Sequence, residues 1–84
     1  MSLRFAGDVS TAETDYGTVL LDERAGAYWE LNPTATLVVR ILLDGGEESD
    51  AAAALVREFD IDEGQALRDV EALVGQLRGS GLAS

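Results

Sequence analysis

The chain has no cysteine, no histidine and no lysine, and a single proline in 84 residues. Each absence removes a class of chemistry. Without cysteine there is no disulfide, no thiolate nucleophile and no cysteine metal site. Without histidine the commonest general base is missing, and without lysine the Schiff-base amine. Carboxylates remain, but nothing in their pattern marks a buried pair. Asp22-Glu23 lie beside a turn, and the acids from Asp44 to Asp50 surround a loop. No enzymatic activity is expected. Apolar runs are short as well: none approaches the ~20 residues that cross a bilayer. Met1-Ser2-Leu3-Arg4 lacks the apolar core of a secretory signal. The expectation is a cytoplasmic protein of one domain, residues 1–84, too small for a deep catalytic cavity.

Positive charge is scarce. Six arginines stand against sixteen acids, for a net charge of −10. Such a chain repels nucleic-acid phosphates and anionic membranes. It favours basic or neutral partners. Asp60-Ile61-Asp62-Glu63-Gly64 faintly resembles a calcium loop, but Gly64 takes the fifth position, where a ligand is required. Helix capping accounts for these acids instead. There is no phosphate-binding glycine loop, and Gly45-Gly46 reads as a helix end. No cofactor and no metal are expected.

What is present is organised around Val19 to Asn32, V-L-L-D-E-R-A-G-A-Y-W-E-L-N. It reads as two strands joined by a turn at Arg24-Ala25-Gly26, with Gly26 free to take positive φ. Ala27, Trp29 and Leu31 alternate with Tyr28 and Glu30. A period of two sends the two sets to opposite faces. Trp29 shares parity with Leu31, so Trp29 is expected in the core and Tyr28 in solvent. Upstream, the polar stretch Val9 to Thr14 supplies one more strand, and Asp15-Tyr16-Gly17 turns the chain.

Everything after Asn32 is helical in pattern. Asn32 and Pro33 suit an N-cap and a first helical position, predicting a helix from Pro33 to about Leu43 that is apolar nearly all round. Asp44-Gly45-Gly46 ends it. A second helix is expected from about Asp50 to Phe59, capped by Ser49, burying Ala52, Leu55, Val56 and Phe59. A third is expected from Ile61 or Asp62 to Arg78, with Asp60 and Glu63 spaced as a capping box. Ala66, Leu67, Val70, Leu73, Val74 and Leu77 share an arc of about 120° on it. One rim of that arc carries Asp69 and Gln76, the other Glu71 and Arg78. Strands followed by three helices give an α+β fold of winged helix-turn-helix type. The second strand of the hairpin ends the sheet, leaving a row of unpaired backbone groups. Such an edge beside an apolar helix can accept an extended peptide.

The run V-L-L-D-E-R-A-G-A-Y-W-E-L-N-P-T-A, the apolar helix, Asp44-Gly45-Gly46, the second helix, and R-D-V-E-A-L-V-G-Q-L with Gly81-Leu82 together resemble the PqqD family. More broadly they resemble precursor-recognition elements of ribosomally made, modified peptides. A small acidic chain of this kind is similar to the stand-alone recognition protein of split lasso-peptide systems, where a separate leader peptidase and a cyclase do the chemistry. The resemblance implies a winged-helix-like fold of three strands and three helices. It implies that a precursor's leader peptide adds antiparallel to the third strand, Ala27, Tyr28, Trp29, Glu30 and Leu31. The leader would lie in the cleft with the third helix, at Asp69, Val70 and Leu73. The opposite rim, Glu71 and Arg78, stays open as the alternative. The competing readings are a DNA-binding winged helix, with Arg68 and Arg78 on the groove-entering helix, and a subunit-docking module without a peptide ligand.

Overall fold

A computed structural model describes residues 3–83. Its elements follow in the order β1 (Val9–Thr14), β2 (Gly17–Asp22), β3 (Ala27–Leu31), α1 (Pro33–Leu43), α2 (Glu48–Phe59) and α3 (Glu63–Gly79). The three strands form one antiparallel sheet in the order β1-β2-β3. This is the α+β arrangement expected from the sequence. β3 is an edge strand, with β2 on one side and, among the described residues, no strand on the other.

Local chemistry sets each turn. Asp15-Tyr16 is a two-residue loop, and the Thr14 hydroxyl accepts the Tyr16 N–H at 3.2 Å. Gly17 follows at φ 145°, and its backbone passes hard against β3. A Cβ there would stand 1.9 Å from the Leu31 carbonyl oxygen, so only glycine fits. At the β2–β3 turn the Asp22 carboxylate accepts the N–H groups of Arg24 and Ala25, each at 3.2 Å. Gly26 then takes φ 68° and starts β3. The positive φ expected at that glycine is what closes this hairpin.

The strand-to-helix transition occupies one residue. Asn32 Oδ1 accepts the Ala35 N–H at 2.8 Å and the Thr34 hydroxyl at 2.8 Å. Pro33 opens α1, where a missing N–H costs no helical bond. At the far end Gly45 sits at φ 92° and the Gly46 N–H donates to the Ile41 carbonyl at 2.9 Å. α2 begins two residues earlier than expected. Glu47, not Ser49, is its N-cap, and the Glu47 N–H donates to the Asp50 carboxylate at 2.9 Å. α3 is capped by Asp62, which accepts the Gln65 N–H at 3.3 Å. Asp60 serves no cap there. It takes the left-handed conformation that ends α2, at φ 53° and ψ 42°. Asx residues tolerate that region better than other side-chain-bearing residues.

The core lies between the inner face of the sheet and the helices. Leu20 and Leu31 meet Val38, Val39 and Leu42 of α1 and Leu55 of α2. α2 turns Ala51, Ala52 and Ala54 inward, and it packs against both α1 and α3. Small side chains on α2 let its neighbours come close. Ala52 and Leu55 are buried as expected, but Val56 is half-buried and Phe59 exposed; Ala51 and Ala54 complete the inward face instead, and Ala53 points outward. α3 contributes Ala66, Val70, Val74 and Leu77, whereas Leu67 stays exposed. Leu82 folds back onto the core as expected. The Ala6 N–H donates to the Leu82 carbonyl at 2.9 Å, and Leu3 is buried beneath this closure. Glu13 of β1 and Arg40 of α1 form an ion pair across an exposed surface.

Two glycines give opposite expectations. Gly17→Ala forces the loop off Leu31 and should destabilise the fold by at least about 2 kcal/mol in urea titrations. Gly75 lies inside α3 with open space where a Cβ would stand. Gly75→Ala should raise stability by about 0.5–1 kcal/mol in the same assay.

Candidate functional site: a strand edge beside a groove

The backbones of β3 and α3 stand apart, with no Cα of one within 8 Å of the other, and a groove of about 430 Å³ lies between them. One wall is the strand, from Trp29 to Asn32. The floor is Ala35 and Val38 of α1 with Leu55 of α2. The other wall is a stripe of α3: Asp69, Ala72, Leu73, Gln76 and Leu77. These recur at three- and four-residue spacing, as one helix face requires. The alternative rim of α3, Glu71 and Arg78, is not part of the groove.

The strand register fixes which backbone groups reach the groove. A two-residue loop pairs Thr14 with Gly17, so Gly17, Val19 and Leu21 turn their N–H and C=O groups to β1. Thr18, Leu20 and Asp22 turn theirs to β3, where they face Leu31, Trp29 and Ala27. Ala27, Trp29 and Leu31 therefore bond inward to β2. Tyr28 and Glu30 present their N–H and C=O to the open side. The side chains alternate across the sheet. Trp29 and Leu31 share the face of buried Leu20, and Tyr28 and Glu30 share the outer face with Val19 and Leu21.

The residues singled out in the sequence divide into three groups. Leu31 is buried at the base of the groove, and Leu73 is half-buried on its wall. Trp29 corrects an expectation. It has the inward parity predicted, yet it is 39% exposed, because α3 stands off from β3 and leaves the indole over the groove. Tyr28 is 67% exposed on the outer face, as expected. Ala27 is exposed at the hairpin end of the strand. Asp69 stands on the groove wall with its carboxylate oxygen Oδ1 accepting from Gln65 Nε2 at 2.7 Å. Val70 does not reach the groove: it is fully buried and backs the wall from within the core. Ala72 and Gln76 line the groove and were not singled out as site residues. The one-rim assignment of Asp69 and Gln76 was the signal that could have found the second of them.

The groove offers no obvious reaction chemistry. Of the residues lining it only Glu30 and Asp69 are ionisable, and the Glu30 side chain belongs to the outer face of the sheet. Among the described residues no group of His, Cys, Asp or Glu could hold a metal ion. Among the same residues no helix is long and apolar enough to cross a membrane. What the groove does offer is an apolar floor, an exposed indole and unpaired main-chain groups side by side.

Comparison with known proteins identifies the family. The model of the family described as coenzyme PQQ synthesis protein D (PqqD) matches residues 17–83. No curated protein matches the sequence. Among solved structures, a lasso peptide synthetase B1 complexed with the leader peptide is 45% identical, with a TM-score of 0.93 over 100% of this chain and 99% of that one. A second, TbiB1 in complex with the TbiA(beta) leader peptide, superposes at a TM-score of 0.86 over 100% of this chain and 95% of that one. At 23% identity it speaks for the fold alone. The family model spans the chain from β2 through α3, and the chain belongs to the PqqD family.

Proposed function

We propose that this chain is a non-catalytic adaptor for a ribosomally made precursor peptide, of lasso type. It takes the leader as a fourth strand, antiparallel to β3, and presents the rest of the precursor to a leader peptidase and a cyclase. The observation that carries the reading is the unpaired edge of β3, facing a groove that α3 closes. Main-chain bonds to Tyr28 and Glu30 give affinity without regard to leader sequence. Leader side chains on the inner face sit against Trp29, Leu31 and Leu73 and give selectivity. Support from outside the chain is the 45% identical B1 protein, itself complexed with a leader peptide.

Antiparallel addition also fixes direction. The leader's C-terminal end leaves past Ala27 and the Glu23–Gly26 loop, so the segment to be processed emerges at the hairpin end. An enzyme docked there meets its substrate at a raised effective concentration, with no catalysis by the adaptor. The DNA-binding alternative is disfavoured by α3 itself. Arg68 and Arg78 share that helix with Glu63, Asp69 and Glu71, on a chain of net charge −10.

Strand addition has a distinctive signature. Take the leader peptide of the B1 complex, fluorescently labelled, and place proline at successive positions of its paired stretch. Polarisation assays should show loss of binding at every second position, where the leader N–H faces β3, and tolerance between them. Uniform tolerance refutes a main-chain ladder.

Two further substitutions separate the groove from the core. Trp29→Ala should weaken leader binding about tenfold or more while lowering stability by less than about 1 kcal/mol, because the indole is already part-solvated. Val70→Ala should do the reverse, with a stability loss of about 2 kcal/mol in urea and affinity of the folded fraction unchanged.

A further inference from the structure

We propose that Asp69 is a specificity-determining residue that selects a basic side chain in the bound peptide, placed N-terminal to the apolar residues seated over Trp29. The inference rests on the strand-addition reading and adds the chemistry and order of the ligand's side chains.

Three observations carry it. The first is the state of the carboxylate. Arg68 Nη2 donates to Gln65 Oε1 at 3.2 Å, which turns the Gln65 amide so that Nε2 donates to Asp69 Oδ1 at 2.7 Å. One oxygen of Asp69 is held in place, and the carboxylate has no ion-pair partner among the described residues. The neighbouring arginine is engaged with Gln65 instead. The second is the charge of the groove. None of the chain's arginines lines it. Glu30, the other acid there, has the outward parity of Tyr28. An inward-facing ligand side chain therefore meets one charge, the exposed carboxylate of Asp69, and it is negative. An acidic ligand residue is rejected at the same point, which is how a single charge discriminates.

The third is polarity. The Ala6 N–H donates to the Leu82 carbonyl, and the Glu23 N–H donates to the Asp8 carbonyl, each at 2.9 Å. This short N-terminal segment ties the chain just beyond α3 to the hairpin end of the sheet. α3 thus runs toward the Ala27 end of β3, and Asp69, early in the groove stripe, lies toward the Leu31 end. A peptide antiparallel to β3 has its N-terminal part at Leu31. The basic residue comes first, and the apolar residues follow it at alternate positions.

A random-peptide phage library selected on the full chain tests this without prior choice of ligand. Wild type should enrich lysine or arginine at one position ahead of alternating apolar residues. Asp69→Asn, which keeps the bond to Gln65, should still enrich the apolar alternation but lose the basic preference. Asp69→Arg should turn that preference to aspartate or glutamate. A selected peptide whose basic residue is changed to glutamine should bind wild type about fivefold more weakly at low salt, and Asp69→Asn equally well. Alternating apolar peptides without a basic position, or with it trailing, overturn the inference and leave strand addition standing. Recovery of no peptide overturns both.

Discussion

The chain passes from strand to helix through a single residue, Asn32, and the whole site hangs from that constraint. Leu31 ends β3 and Pro33 begins α1, so the segment that leaves β3 is helix and does not itself pair with the edge. The Asn32 side chain holds the first turn of α1 with its bonds to Thr34 and Ala35. α1 is thereby thrown across the inner face of the sheet, where Ala35 and Val38 become the floor beside that edge. Gly17 guards the same junction from the other side, since any larger residue would displace the Leu31 carbonyl. A free edge and an apolar floor are thus consequences of one turn, not separate inventions.

An open edge invites self-association, and the chain limits that hazard by ordinary means. β3 is only five residues long, and Glu30 places a charge on it. A second copy approaching edge to edge brings another net charge of −10. A ligand strand that is neutral or basic escapes this repulsion. The acidity that the composition announces therefore acts as a filter on what pairs with β3, beyond any contribution to solubility.

Much of this was legible in the letters. The hairpin, the Asn32-Pro33 helix start, the glycine that ends α1 and the burial of Leu82 each rest on local chemistry that sequence spells out. The edge position of β3 followed from the pattern: every element after it among the described residues is helical. What was not legible depends on distances between elements. Parity placed Trp29 on the inner face correctly, but parity cannot say that α3 stands off by enough to leave the indole exposed. The stripe of α2 was misjudged for a related reason. Leu55 is buried as its size suggests, but the helix is wedged between α1 and α3, and there Ala51, Ala52 and Ala54 allow the close approach while Phe59 at its end is left exposed. At the α2–α3 turn, Asp60 and Asp62 have similar capping potential by type. Their roles were decided by the left-handed turn that ends α2 at Asp60.

The same distances explain how so small a protein recognises anything. A chain of this size cannot enclose a ligand, because too little of its surface is hidden on folding. An extended peptide needs no enclosure. Laid against β3 it satisfies its main-chain groups on one side while its inward side chains fill the gap between the strand and α3. In that sense the groove is an unfinished part of the core: Trp29 and Leu73, half-covered in the free chain, are the residues that a fourth strand would finish burying. Recognition of this kind resembles the last step of folding, with one segment supplied by another molecule. That is why the site has the composition of a core margin.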